Sequence, residues 1–168
     1  DYDPNLPNAS PQKAAFNRTT LGVYEMGSTF KIFTTAMALD SGTTKLKGSY
    51  DASKPIRIAR FTITDYHGKN RWLTVPEIFI YSSNIGSVKM ALDVGTTRQK
   101  EYLHRLGLLT PATIELPEVG SPLVPSPWRE INTMTIAFGH GIAVTPVQMA
   151  QSTAAAINGG ILPRATLL

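Results

Sequence analysis

The 168-residue chain has no cysteine. That excludes disulfides, thiolate nucleophiles and thiolate zinc sites, and it leaves the redox compartment open. No stretch approaches about 18 consecutive apolar residues, and no basic-then-apolar leader opens the chain, so nothing in it reads as a membrane span or a signal peptide. Runs of like charge are missing as well. The formal net charge is +4 with a pI near 9.4, but the lysines and arginines are scattered, which reads as solvated faces rather than a nucleic-acid groove. A mildly basic surface also suits an anionic wall polymer or membrane. The three histidines, His67, His104 and His140, have no metal-type spacing, so no metal and no cofactor are expected. Gly139-His140-Gly141 lacks the G-x-x-x-x-G-K-[ST] context that would make it a phosphate loop. There is no internal repeat or low-complexity tract.

What is present suffices for one folded unit: 42% of the residues are hydrophobic and 17% charged, enough to bury a sizeable core. Residues 1–20 are rich in Asn, Pro and Thr and read as loop with a helical turn over Gln12 to Asn17. A buried helix is expected over the apolar run Ile32 to Leu39, with Gly42 as its stop, then a polar linker from Ser41 to Lys47. Between Pro55 and Val75 the pattern alternates, with Ile56, Ile58, Phe61 and Ile63 among polar residues. Turn residues interrupt it at His67-Gly68-Lys69-Asn70, so one small hairpin is expected there, its outward charges structural. Further helices are expected over Glu77 to Tyr81, Ile85 to Val94, Thr97 to Leu106 and Val147 to Asn158. The last should be capped by Thr145, with Pro146 in its first turn. Residues 107–129 form a long Pro- and Gly-rich loop, near the end of which Pro125-Ser126-Pro127-Trp128 is expected to pack over the core.

Chemistry concentrates in Tyr24-Glu25-Met26-Gly27-Ser28-Thr29-Phe30-Lys31. Ser28 sits where a loop becomes a helix, with Gly27 permitting the turn and a hydroxyl suiting the helix start. Lys31 is three residues on and shares a helix face with it. A serine hydroxyl is a poor nucleophile until something accepts its proton. A lysine can do so if burial lowers its pKa, and the helix behind it is apolar on most of its circumference. Composition makes a single S-x-x-K match unremarkable, and Ser10-Pro11-Gln12-Lys13 is a second; it is set aside because no buried helix follows it. Glu25 is read as an anchor of the turn, and Asn17 and Arg18 as scaffold.

The only S-x-N in the chain, Ser82-Ser83-Asn84, is the second element. A hydroxyl and an amide one residue apart on a loop can point into one cleft, one to relay a proton and the other to grip a substrate amide. Ser82 or Ser83 could equally serve as the N-cap of the helix that follows.

Together these motifs resemble the penicillin-binding proteins, whose signature is S-x-x-K, an S-D-N-like element and K-T-G. Asp1-Tyr2-Asp3-Pro4-Asn5, Asn17-Arg18, Tyr24-Glu25-x-Gly27-Ser28-Thr29-Phe30-Lys31, Ser82-Ser83-Asn84-Ile85-Gly86 and Gly139-x-Gly141-Ile142-x-Val144-Thr145-Pro146-x-Gln148 are similar to the class B, division-type branch. Met26 departs from that pattern, where Pro is common, and bears on how stiffly the turn is held. The resemblance implies a peptidoglycan D,D-transpeptidase. Ser28 would be its nucleophile, Lys31 the base, Ser82 a proton relay and Asn84 a ligand for the substrate amide. The substrate would be the D-Ala-D-Ala stem peptide, and β-lactams would acylate the same serine. It further implies a membrane-anchored parent acting in the periplasm with cell-wall or divisome proteins. No K-T-G or K-S-G occurs in the 168 residues. Residues 1–168 are therefore expected to be a partial transpeptidase domain: mainly α with a small β-hairpin, the helical part of an α+β fold whose central sheet strands are largely missing. Such a piece is expected to react slowly with penicillin.

Two rivals remain at this level. A serine β-lactamase would need a deacylating carboxylate on the loop after S-x-N, where Glu115 and Glu118 lie without the companion Asn. A non-catalytic penicillin-sensing or interaction domain would keep the serine without turnover.

Overall fold

A computed structural model describes residues 3, 5, 6 and 12–168, with only the backbone of Gln12 and Lys13. Ser10, Pro11 and the Lys13 side chain of the second S-x-x-K match, and most of the Asp1–Asn5 stretch, lie outside the described residues. A four-residue helix α1 (Gln12–Ala15) is followed by a 3₁₀ turn (Gly27–Phe30) that runs directly into α2 (Lys31–Asp40). Four three-residue strands come next: β1 (Ser49–Asp51), β2 (Ile56–Ile58), β3 (Phe61–Ile63) and β4 (Trp72–Thr74). The remainder is helical: α3 (Val75–Ile80), α4 (Asn84–Val94), α5 (Thr96–Arg105), α6 (Glu130–Ile136) and α7 (Pro146–Ile157).

α2 is the element the others surround, packing against α3, α4, α5 and α7. Its apolar circumference is divided between two cores. Met37 and Ala38 face Leu73, Ile78, Val88, Met90 and Met134. Phe33, with Phe30 one turn before it, faces Leu103, Leu108, Ile136, Ile142 and Val144, and the two phenyl rings meet edge to face at 5.2 Å. Each such buried side chain is worth about 1.5–3 kcal/mol, so a helix packed on both sides is held far more firmly than its propensity alone would allow. Thr34, a buried hydroxyl on the same helix, donates to the Ala137 carbonyl at 2.8 Å and so ties α2 to the end of α6.

Helix boundaries follow the local chemistry. Thr74 caps α3 and Glu77 returns the bond to the Thr74 backbone; Thr145 and Gln148 do the same for α7, with Pro146 in its first turn. These are capping boxes. Trp128 packs on the second core and donates its indole N–H to Thr133 at 3.2 Å.

Three expectations are corrected. The hairpin is β2–β3, and its register, Ile58 opposite Phe61, puts the turn at Ala59-Arg60. Residues 67–70 instead connect β3 to β4, and β4 pairs with β1, Tyr50 opposite Leu73, so there are two small antiparallel sheets rather than one. A helix also stands where none was expected, at α6. Its Thr- and Asn-rich sequence is a poor helix former, but Met134 and Ile136 are buried in the two different cores, and Asn132 accepts the Arg129 N–H at 2.8 Å.

Candidate active site

Ser28 lies in the 3₁₀ turn rather than at the N-cap of an α-helix, and its hydroxyl caps nothing. In a 3₁₀ turn residues i and i+3 eclipse, which stacks Lys31 directly over Ser28. The Lys31 side-chain nitrogen is 3.1 Å from Ser28 Oγ. The serine is exposed while Lys31 is only 2% exposed: the hydroxyl faces outward and the amine is hidden beneath it.

The turn is braced from the segment after α6. Gly27 donates to the Gly139 carbonyl at 3.2 Å, and Tyr24 and Val144 exchange both backbone hydrogen bonds. Glu25 accepts the Gly141 N–H at 2.7 Å, which gives it the anchoring role read from the sequence. A side chain at Gly139 would start 2.0 Å from the Gly27 carbonyl oxygen, and the φ of +80° there is one that L-residues rarely adopt. Gly139 is thus what lets this segment lie against the serine turn.

The S-x-N loop meets Lys31 from the other side. Lys31 Nζ is 2.8 Å from Ser82 Oγ, 2.5 Å from the Ser82 carbonyl oxygen and 2.7 Å from Asn84 Oδ1. Ser82 reaches this position with φ +53°, a left-handed backbone that costs a non-glycine residue of order 1–3 kcal/mol. Ser83, by contrast, is the N-cap of α4, accepting the Gly86 N–H at 3.0 Å. The two readings of this motif therefore fall on different residues: Ser82 and Asn84 turn to Lys31, and Ser83 caps.

What holds the loop is a residue the sequence reading passes over. Asp65 accepts from the Ser83 hydroxyl at 2.8 Å and from the Ile85 N–H at 3.0 Å. The neighbouring Thr64 carbonyl accepts from Asn84 Nδ2 at 2.9 Å, which orients the Asn84 amide with its oxygen toward Lys31. A carboxylate at the end of an alternating segment carries no signature of this role. Glu77, in the first turn of α3, bonds Thr74 and pairs with Arg71 at 2.8 Å. These partners pull its carboxyl down to about 2.

The hydrogen-bond inventory decides what this arrangement can do. A neutral amine has two N–H donors and one lone pair. The Ser82 carbonyl and Asn84 Oδ1 only accept, and they use both donors. The lone pair is then left to receive a proton from a serine hydroxyl, Ser28 or Ser82. Burial disfavours the ammonium and lowers the Lys31 pKa from 10.5 to about 8, against an opposing pull from the Asp65 carboxylate. At pH 7 roughly one lysine in ten is then neutral, against fewer than about one in a thousand for an ordinary lysine.

Glu115, on the long loop, is engaged elsewhere: it accepts from Thr166 Oγ1 at 2.9 Å and the Leu167 N–H at 3.1 Å, and lies 3.5 Å from Arg164. A concavity of about 530 Å³ lies at the far end of α2, lined by Ala36, Leu39, Tyr102, Leu106, Ala155 and Leu162, rather than at Ser28.

Residues 1–168 match the family model described as the penicillin binding protein transpeptidase domain. Among curated relatives, the chain is 41% identical over 160 residues to the probable peptidoglycan D,D-transpeptidase FtsI of Caulobacter vibrioides, covering 95% of this chain and 27% of that protein. It is 33% identical over 162 residues to the peptidoglycan D,D-transpeptidase FtsI of Escherichia coli K12, with the same two coverages. Among solved structures, the apo TP domain of Burkholderia pseudomallei penicillin-binding protein 3 superposes with a TM-score of 0.85 at 28% identity, covering 92% of this chain and 47% of that one. The chain spans 27% of the length of the two curated relatives named here.

Proposed function

The chain belongs to the penicillin-binding protein transpeptidase family, and from that premise we propose that it is the part of a peptidoglycan D,D-transpeptidase that carries the acylated serine. The observation that carries the proposal is the position of Lys31 Nζ, 3.1 Å from Ser28 Oγ with its other contacts taken by Ser82 and Asn84.

In the first half-reaction the Ser28 oxygen attacks the carbonyl of the penultimate D-Ala of a stem peptide while its proton passes to the Lys31 lone pair. The carbon–nitrogen bond to the terminal D-Ala then breaks, and the departing amine takes a proton from Lys31 through the Ser82 hydroxyl. In the second half-reaction the amine of a neighbouring stem attacks the ester, gives its proton to Lys31, and displaces Ser28, which recovers a proton. Asn84 holds the substrate backbone amide, and Asp65 acts as a positioning residue for Ser82 and Asn84. The Ser28 backbone N–H is one oxyanion donor.

The residues of this chain form the helical part of the transpeptidase fold. No K-T-G occurs in these 168 residues, so on this reading neither the second oxyanion donor nor the cation for the substrate carboxylate is supplied by them. On this reading the parent protein acts on the extracytoplasmic side of the membrane. β-Lactams acylate Ser28 by the same attack, with the ring nitrogen as a leaving group that stays tethered.

The test is mass spectrometry of the full-length protein after penicillin treatment. The acyl mass is expected on the peptide containing Ser28 and absent from Ser28→Ala. An adduct on Ser82, or labelling that survives Ser28→Ala, overturns the assignment.

A further inference from the structure

The positive charge of this chain is not spread evenly. Residues 45–72 hold seven of the sixteen cationic residues and two of the twelve acidic ones, a net charge of +5 against +4 for the entire chain, so the other residues together net −1. All seven cations, Lys45, Lys47, Lys54, Arg57, Arg60, Lys69 and Arg71, are exposed.

Few of them are neutralised locally. Among the described residues, Arg71 pairs with Glu77, and no carboxylate lies within ion-pair distance of the other six. Of the two acids in the segment, Asp65 is committed to Ser83 and Ile85, and Asp51 accepts the Ser53 N–H and feels the charges of Lys54 and Lys89 without forming an ion pair with either. Within the β2–β3 hairpin, Ile56, Ile58 and Ile63 pack on the core, so by strand alternation Arg57 and Thr62 point outward. Arg60 stands at the tip over the Phe61 ring at 5.3 Å.

Exposed aromatic rings are interleaved with these cations. Tyr66 is 91% exposed, Trp72 62% and Phe61 51%. This surface reaches the S-x-N loop, because Lys69 Nζ lies 4.7 Å from the centre of the Tyr81 ring, immediately before Ser82. A cationic surface with exposed rings fits a glycan whose attached peptides carry free carboxylates, the flat apolar faces of its sugar rings burying area against aromatic side chains.

We infer that the 45–72 module is a docking surface for the acidic glycopeptide strand of the cell wall, holding its carboxylates and sugar rings outside the Ser28 site while a stem peptide reacts there. The identity of the polymer rests on the transpeptidase reading; the cationic surface does not.

The experiment uses the full-length protein and purified sacculi free of attached protein, with pelleting of bound protein as the readout and Ser28 acylation measured in the same samples. Arg57→Glu with Arg60→Glu is expected to weaken binding about 10-fold at low salt, where exposed charges are least screened. Ser28 acylation should stay unchanged. Arg98→Glu with Lys100→Glu, an equal charge change on the exposed side of α5, should leave binding near wild type. Amidating the carboxylates of the sacculi should reproduce the loss with the wild-type protein. Equal binding by the two double variants, or undiminished binding to amidated sacculi, overturns the docking surface whatever the acylation result. Selective loss with the hairpin variant in a protein whose Ser28 is never acylated supports the docking surface and overturns the catalytic reading instead.

Discussion

The turn around Ser28 and the β module of residues 45–72 lie side by side and are built on opposite principles. At Ser28 the polar groups are gathered inward. One nearly buried amine is shared among Ser28, Ser82 and Asn84; the Gly27–Gly139 backbone bond braces the turn before Ser28, the Thr64 carbonyl holds the Asn84 amide, and Asp65 holds the neighbouring Ser83 and Ile85. In the β module the strands are three residues long, the sheets have two strands each, and among the described residues all the cations but Arg71 face solvent with no carboxylate within ion-pair distance. The first region uses close packing to hold atoms within tenths of an ångström, as a reacting site requires. The second packs lightly and presents charge, which is what contact with a large, variable polymer requires. Asp65 belongs to both, closing the β module onto the S-x-N loop.

The comparison breaks most severely at Lys31. Arginine keeps the charge but cannot surrender a proton, so Lys31→Arg should slow penicillin acylation of the full-length protein by about 10²-fold or more. Stopped-flow labelling measures this; an unchanged rate would make the lysine a structural cation and erase the distinction between the two regions.

A smaller effect is expected where the regions join. Asp65→Asn keeps the shape but replaces charge-assisted hydrogen bonds with weaker ones. Acylation should fall by about 10-fold, equivalent to a barrier raised by roughly 1.4 kcal/mol through poorer positioning. Because the Asp65 carboxylate raises the Lys31 pKa, the midpoint of the pH–rate profile should also move to lower pH. A slower rate with an unmoved midpoint would show that Asp65 acts on folding alone.

The smallest effect is expected in the hairpin. Ala59 holds φ +48° in the two-residue turn, a conformation that costs an L-residue about 1–2 kcal/mol and glycine almost nothing. After the entropy that glycine adds to the unfolded chain, Ala59→Gly should stabilise the protein by up to about 1 kcal/mol and leave acylation as it was. Thermal denaturation and labelling together check this. A loss of activity would mean that the hairpin and the site are coupled more tightly than their separate packing implies.

Legibility follows the same division. Ser28, Lys31, Ser82 and Asn84 stand out in the sequence because they form two short motifs, S-x-x-K and S-x-N, of few residue types at fixed spacing, and the apolar run behind Ser28 announces burial. Glu25, Thr145 and Trp128 follow from local chemistry alone. Glycine and asparagine advertise a turn at residues 67–70, whereas the true hairpin turn, Ala59-Arg60, has no such residue and is imposed by the pairing of Ile56 with Ile63. β1 escapes notice because three residues are too few to show alternation. α6 is equally hidden, since its helix exists through the burial of Met134 and Ile136 in two cores that no single window displays. Asp65 is silent for a similar reason: its partners, Ser83 and Ile85, are 18 and 20 residues away.

The central claim is that Lys31 works as a neutral amine because the fold buries it, and the most direct measurement is the pH dependence of Ser28 acylation in the wild-type protein. The sign follows from the lowered pKa. The folded state disfavours the ammonium, so burying this group is destabilising below about pH 8, and the penalty is relieved as pH rises from about 8 toward 10.5. The acylation rate should therefore climb with pH and level off with a midpoint near 8, while the unfolding free energy attributable to this group rises over the same range and beyond. A rate that is flat from about pH 6 to 10, or one that rises only near the ordinary lysine value of 10.5, would contradict the account.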